Sequence, residues 1–233
     1  MVTIYLSNVI GAAIAATGIR LGLHPSLLSL ANLLTAATGS VPVILMASTA
    51  DSWWWPGWLA LGFWPLAYAF DCADGQLARA TGKQGEFGAR VDVLADYGAQ
   101  ALVVVAVAAV ANASQTLPTA LIAVICSFWC FGTFAATLRQ SDSAEGHSVL
   151  GGRPLARIMH SIFDTGLINL VLGAWILISP ATIIIPALGI TLLNIAYLVG
   201  SLARETRSSL KNQPTPAWPL PASREAADQS SIL

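Results

Sequence analysis

The residues able to do chemistry lie close together, in DCADGQLARATGKQGEFGARVDVLAD at positions 71–96. This run holds Asp71, Asp74, Asp92 and Asp96 with Glu86, Arg79, Lys83, Arg90 and four glycines, in a chain that is otherwise mostly apolar. On a helix advancing about 100° per residue, Asp71, Asp74, Gly75 and Ala78 share one narrow face with Arg79 at its edge. Gly88, Asp92, Ala95, Asp96 and Ala99 share a face of the next helix. The short turn ATGKQGEF between them predicts an antiparallel pair on which the four carboxylates converge.

Such a cluster needs a counter-charge. One ionised Asp deep in a transmembrane helix costs on the order of 2.5–3.5 kcal/mol, so four cost about 10–14 before relief at the interface or by a partner. Arg79 and Arg90 cannot offset four acids. Hard divalent cations bound by carboxylate oxygens can, and two metals on a shared carboxylate cluster form a clamp for phosphate chemistry. The surrounding Gly and Ala leave room for a bulky polar ligand that a leucine would exclude. The alternative is a solvated rim, with the acids at helix ends paired to nearby Arg and Lys. Rim charges, however, need not share two faces with Gly and Ala.

The elements that carry these faces are membrane helices. The 233 residues are 55% hydrophobic and 10% charged, with a mean hydropathy of +0.68, outside the range of a soluble domain. A net charge of −1 leaves no basic surplus for nucleic acid. Cys72, Cys126 and Cys130 lie in apolar stretches and read as packing residues rather than a disulfide framework. The first apolar stretch runs into Arg20 and His24 instead of a small-residue cleavage site, so no cleavable signal peptide is expected.

Apolar windows long enough to cross the hydrocarbon recur six times, near 27–48, 53–74, 91–111, 117–138, 156–178 and 181–202. Residues 3–22 are less apolar and predict an interfacial helix leading into the first crossing. The fold class expected is therefore an all-α integral membrane protein, with a membrane domain over 1–203. The stretch 204–233 is rich in Pro, Ser and charge and predicts a disordered tail. With six crossings every Lys and Arg falls on one side, whereas STADSWWWPG, NASQTLPT and SPAT on the other carry none. Both termini and the aspartates are then cytoplasmic, and the expected location is the plasma membrane. The tryptophans at 53, 54, 55 and 58 suit the opposite headgroup belt, and the sequon at Asn112 carries no weight as a three-residue pattern.

The spacing Asp-x-x-Asp-Gly-x-x-Ala-Arg, eight residues, Gly-x-x-x-Asp-x-x-x-Asp resembles the defining motif of the CDP-alcohol phosphotransferase (CDP-alcohol phosphatidyltransferase) family. All its positions are present as Asp71, Asp74, Gly75, Ala78, Arg79, Gly88, Asp92 and Asp96. The resemblance implies that Asp71, Asp74 and Asp92 ligate two divalent cations, Mg²⁺ or Mn²⁺, and that Asp96 is the general base and also touches a metal. Gly75, Ala78 and Gly88 would let the backbone approach the nucleotide, and Arg79 would hold the loop or the diphosphate. HPSLLS resembles the family's Pro-x-x-x-Thr lead-in, with Ser29 in place of threonine. The implied reaction moves a phosphate-linked group from a CDP-activated donor to an alcohol and releases CMP.

The favoured donor is CDP-diacylglycerol and the favoured acceptor a small polar alcohol, in phospholipid synthesis. Relatives that take phosphorylated acceptors bind the phosphate in a basic pocket, a role open here to Arg153 and Arg157 with Arg139 and Arg204. Topology and lipid headgroups account for the same four arginines equally well. Asp164, inside the fifth expected crossing, either lines the acceptor cavity or pairs with an arginine. His24, His147 and His160 form no spaced cluster and read as packing or interfacial residues. The motif leaves open a reversed assignment, a soluble CDP-alcohol donor with a lipid acceptor. A divalent-cation or proton-coupled transporter is the competitor from another class, although it would spread its acids along a crossing path. Intramembrane prenyltransferases pair aspartates with metals at a different spacing and on more spans. Family members are commonly homodimers, a state the sequence neither supports nor excludes.

Overall fold

The computed structural model describes residues 2–49, 52–115, 117–145 and 165–211, and every regular element among them is helical. The helices are α1 (Val2–Arg20), α2 (Pro25–Met46), α3 (Trp54–Thr81), α4 (Glu86–Ala113), α5 (Thr119–Glu145), α6 (Thr165–Ile178) and α7 (Ile184–Lys211). A short 3₁₀ turn, Pro180–Thr182, precedes α7. Met1–Ile195 form one compact unit and Ala196–Leu233 a second, whose described part is the end of α7.

Local chemistry accounts for the boundaries around the aspartates. Pro25 opens α2, where its missing N–H costs nothing, and the His24 ring accepts from the Ser26 backbone N–H at 3.3 Å. Helix α3 stops at Gly82, which holds the left-handed conformation at φ +65° that ends a helix. Gly85 lies extended before α4, and Glu86 places a negative charge in the first turn, at the positive end of the dipole.

Packing arranges these helices differently from a simple antiparallel pair. Helix α2 packs extensively on both α3 and α4, which touch each other only slightly. The wedge is a stripe on α2 at helical spacing, Leu28, Ser29, Asn32, Ala36, Gly39, Ser40 and Val43, all buried. Its small members permit the approach. A Cβ on Gly39 would lie 2.8 Å from the Trp64 ring, and the Trp64 indole N–H donates to the neighbouring Ser40 hydroxyl at 2.9 Å. One layer of alanines, Ala36, Ala67 and Ala99, joins the three helices at a common level.

On its other side α3 receives α6 and α1. A Cβ on Gly173 would stand 2.6 Å from the Leu61 Cα, so α6 meets the α3 backbone directly. Helix α1 runs beside the later part of α3, with Gly11 against Ala69–Ala73 and Gly18 against Leu77. The main core holds Trp64, Val103, Val107, Val110, Trp129, Leu172 and Ile176.

The outer surface is greasy. Leu45, Leu94, Phe131, Ile178 and Leu192 are all well exposed, as lipid-facing side chains are. Pro25–Met46, Glu86–Ala113 and Pro180–Ala203 are long and apolar enough to cross a membrane, and Thr119–Ala135 and Thr165–Ile178 are shorter apolar helices. Helix α3 is diluted by Trp54, Trp55, Pro56, Trp58, Trp64 and Pro65 and by the charges of its last turns. At about 1.5 Å per residue, Trp54 and Asp74 stand roughly 30 Å apart, about one hydrocarbon thickness. Trp54, Trp55 and Trp58 are exposed at that far end.

Helix α7 runs on through residues 204–211 to Lys211. RETRSSLK contains no Gly or Pro, and its Arg, Glu, Leu and Lys favour helix. Residues 212–233 lie outside the described residues.

Candidate active site

Helix α3 delivers Asp71 and Asp74 one turn apart, and α4 delivers Asp92 and Asp96. The loop Gly82–Gly85 turns the chain so that both pairs reach the same level. One carboxylate oxygen from each of Asp71, Asp74 and Asp92 lies within 4.8 Å of the other two. Asp96 comes within hydrogen-bonding reach of Asp71, and Asp74 within reach of Asp92. All four expected carboxylates are therefore in one cluster. Asp74 is buried and the other three are half-buried.

The donors come from α2. Ser29 Oγ donates to Asp74 Oδ2 at 2.7 Å, and Asn32 Nδ2 donates to Asp96 Oδ1 at 2.8 Å. Asp92 Oδ1 is buried with no hydrogen-bond partner. Facing carboxylates with an orphaned buried oxygen leave a demand for positive charge that no Lys or Arg among the described residues meets. Among the described residues the ion pair is Arg90 with Glu86, 3.6 Å apart and well exposed, and no Lys or Arg pairs with the four acids. Among the described residues no rim of solvated ion pairs surrounds this cluster. An all-oxygen donor set with an unsatisfied buried oxygen suits hard divalent cations, so the residues present fit such an ion.

Beside the acids opens a cavity of about 240 Å³. Ser29, Asp74 and Asp92 line it together with Gly75, Ala78, Arg79 and Gly88. The two glycines act differently. A Cβ on Gly88 would meet nothing within 4 Å, so that position keeps the cavity open. A Cβ on Gly75 would sit 3.3 Å from an Arg79 guanidinium nitrogen, so Gly75 makes room for Arg79 rather than for backbone approach alone.

His24, Lys83 and Gln84 also line the cavity. Sequence reasoning gave them no place there, although the position of Lys83 and Gln84 in the turn joining the acidic helices was a usable signal. It also missed Asn32, a polar residue one turn after Ser29 in an apolar helix. Arg153, Arg157, Asp164, His147 and His160 lie outside the described residues, as do the side chains of Arg139 and Arg204.

This chain belongs to the CDP-alcohol phosphatidyltransferase family, whose model matches residues 28–193. The matched stretch begins one residue before Ser29 and contains the whole acidic cluster. No curated protein matches the chain. Membership makes the protein an enzyme that transfers a phosphatidyl-type group from a CDP-alcohol in phospholipid synthesis, and it displaces the transporter reading. Such enzymes typically depend on divalent cations. With its apolar helices, the family makes this an integral membrane protein.

Proposed function

We propose that the protein transfers the phosphatidyl group of CDP-diacylglycerol to the hydroxyl of a small polar alcohol, phosphorylated or not, with release of CMP. The observation that carries this reading is the meeting of Asp71, Asp74 and Asp92 oxygens within 4.8 Å, beside a cavity walled by Gly75, Ala78, Arg79 and Gly88.

Asp71, Asp74 and Asp92 would hold two divalent cations, with Asp96 within reach of the same site. Bound there, Mg²⁺ or Mn²⁺ supplies charge neutralisation for a diphosphate and for the CMP that leaves. Ser29 fixes Asp74. Arg79 faces the diphosphate with a guanidinium fork, and Gly88 leaves room for the nucleotide. The acceptor oxygen bonds to the phosphorus distal to cytidine as the bond from that phosphorus to the CMP oxygen breaks. Asp96 takes the hydroxyl proton.

The arginines at 153, 157, 139 and 204 are the proposed site for an acceptor's phosphate. The reading further takes six crossings with α1 at the interface, cytoplasmic termini and active site, the plasma membrane as location, and a homodimer as the working assembly. The basic residues on one side and the exposed tryptophans at the far end of α3 support the orientation.

The test supplies purified protein with radiolabelled CDP-diacylglycerol, Mg²⁺ or Mn²⁺, and in turn serine, inositol phosphate and glycerol phosphate. Metal-dependent CMP release with a labelled lipid product supports the reading. Turnover only with a soluble CDP-alcohol and a lipid acceptor reverses donor and acceptor. Replacement of Arg153 by Ala should raise KM for a phosphorylated acceptor, and an unchanged KM removes it from the pocket.

A further inference from the structure

Helix α2 contributes none of the family's acidic motif, yet it is the element that both acidic helices pack against. It carries two buried polar side chains one turn apart, Ser29 and Asn32, exposed by 2% and 3%. The first bonds an acid on α3 and the second an acid on α4. The Asn32 contact stands apart because its target is Asp96, the group assigned to take the hydroxyl proton.

The geometry around this pair is tight. Leu33, the next residue, touches Gly98 closely enough that a Cβ there would lie 3.0 Å from the leucine methyl. One turn below, Ala36 meets Ala67 and Ala99. These small residues bring α2 near enough for two short side chains to span the gap at 2.8 Å. An ionised carboxylate only accepts hydrogen bonds, so the amide must present its NH₂ to Asp96. Held at Oδ1, the carboxylate is hindered from rotating about its Cβ–Cγ bond, and its aim is set by α2 rather than by its own helix.

We infer that Asn32 is a positioning residue for transfer, orienting the Asp96 carboxylate toward the incoming hydroxyl. This rests on the proton-accepting role assigned to Asp96 above. Asn32 itself touches neither the acceptor nor the donor. Its removal leaves the site assembled but misaims the proton acceptor, and its replacement by Asp keeps the shape while losing the donor.

The full-length protein in lipid nanodiscs would be assayed for CMP release from CDP-diacylglycerol with the three acceptors, and for Mn²⁺-dependent binding of CDP. Asn32→Ala is expected to lower kcat roughly 10- to 100-fold, the scale of one hydrogen bond to a charged group, with CDP affinity and donor KM held within about twofold. Asn32→Asp should fall at least as far. Wild-type kcat in Asn32→Asp would show that only shape matters and would overturn the inference. So would loss of CDP binding in step with kcat in both variants, the mark of a structural role.

Infrared difference spectra give a readout that needs no turnover. The carboxylate stretch that disappears in Asp96→Asn should shift in Asn32→Ala, and an unmoved band overturns the contact. If no acceptor yields CMP with wild-type protein, the proposed donor and acceptors fail, while the infrared result still decides whether Asn32 orients Asp96.

Discussion

The Ser29 hydroxyl donates to Asp74 Oδ2 at 2.7 Å, across 45 residues of sequence, and both side chains are buried. Helix α2 thereby reaches into the acidic cluster on α3. The Ser29 hydroxyl is committed to a carboxylate, and the residue also lines the cavity.

Ser29→Ala should therefore weaken metal binding rather than abolish chemistry. Loss of a buried hydrogen bond to a charged group costs about 1.5–3 kcal/mol, or roughly ten- to a hundredfold in the Mg²⁺ concentration for half-maximal activity. Ser29→Thr, which keeps the hydroxyl, should remain near wild type. Titrating CMP release against Mg²⁺ for the three proteins decides the point, and identical activation curves would remove Ser29 from the metal site.

Asp71→Asn and Asp92→Asn should each abolish transfer while the protein remains folded. An amide keeps the side chain's size but removes the charge that the cluster offers to a cation. Circular dichroism and size exclusion would report an intact helical protein, and Mn²⁺ binding would be lost. Turnover at the wild-type rate in either variant contradicts the ligand assignment.

Chelation makes the same claim without mutation. Removing divalent ions with EDTA should stop CMP release, and adding Mg²⁺ or Mn²⁺ in excess should restore it. Metal loading should also raise the thermal midpoint, because a ligand bound to the folded state stabilises it by mass action. An unchanged midpoint on addition of either ion speaks against a site at the cluster.

Gly88 and Gly173 should separate activity from stability. A side chain at Gly88 enters open space in the cavity, so Gly88→Val should leave folding intact and weaken CDP binding more than about tenfold by occupying the nucleotide's room. At Gly173 a Cβ would stand 2.6 Å from the Leu61 Cα, so Gly173→Val must force α6 away from α3 and lower the thermal midpoint. Midpoints and CDP titrations on both variants check the contrast, and the reverse pattern would contradict the packing.

Much of the fold was legible because membrane helices announce themselves by length and hydropathy. Stretches near the first expected windows appear as α2, α3, α4 and α5. Three helices meet the length and apolarity of a crossing, whereas α3 carries tryptophan, proline and acids that lower its hydropathy. Helix α7 extends to Lys211 because RETRSSLK holds no Gly or Pro, a local feature that composition averaged over 204–233 hides.

The sequence by itself determined which acids share a helix face, which small residues flank them, and that apolar helices carry them. Helical period and spacing are local properties, so they survive without knowledge of the packing. Only the tertiary structure decided that α2 wedges between the acidic helices, that Ser29 and Asn32 bond Asp74 and Asp96, and that Gly75 serves Arg79 while Gly88 opens onto the cavity. These relations join residues dozens of positions apart. They depend on how closely Ala and Gly let three helices approach, which no one-dimensional pattern encodes.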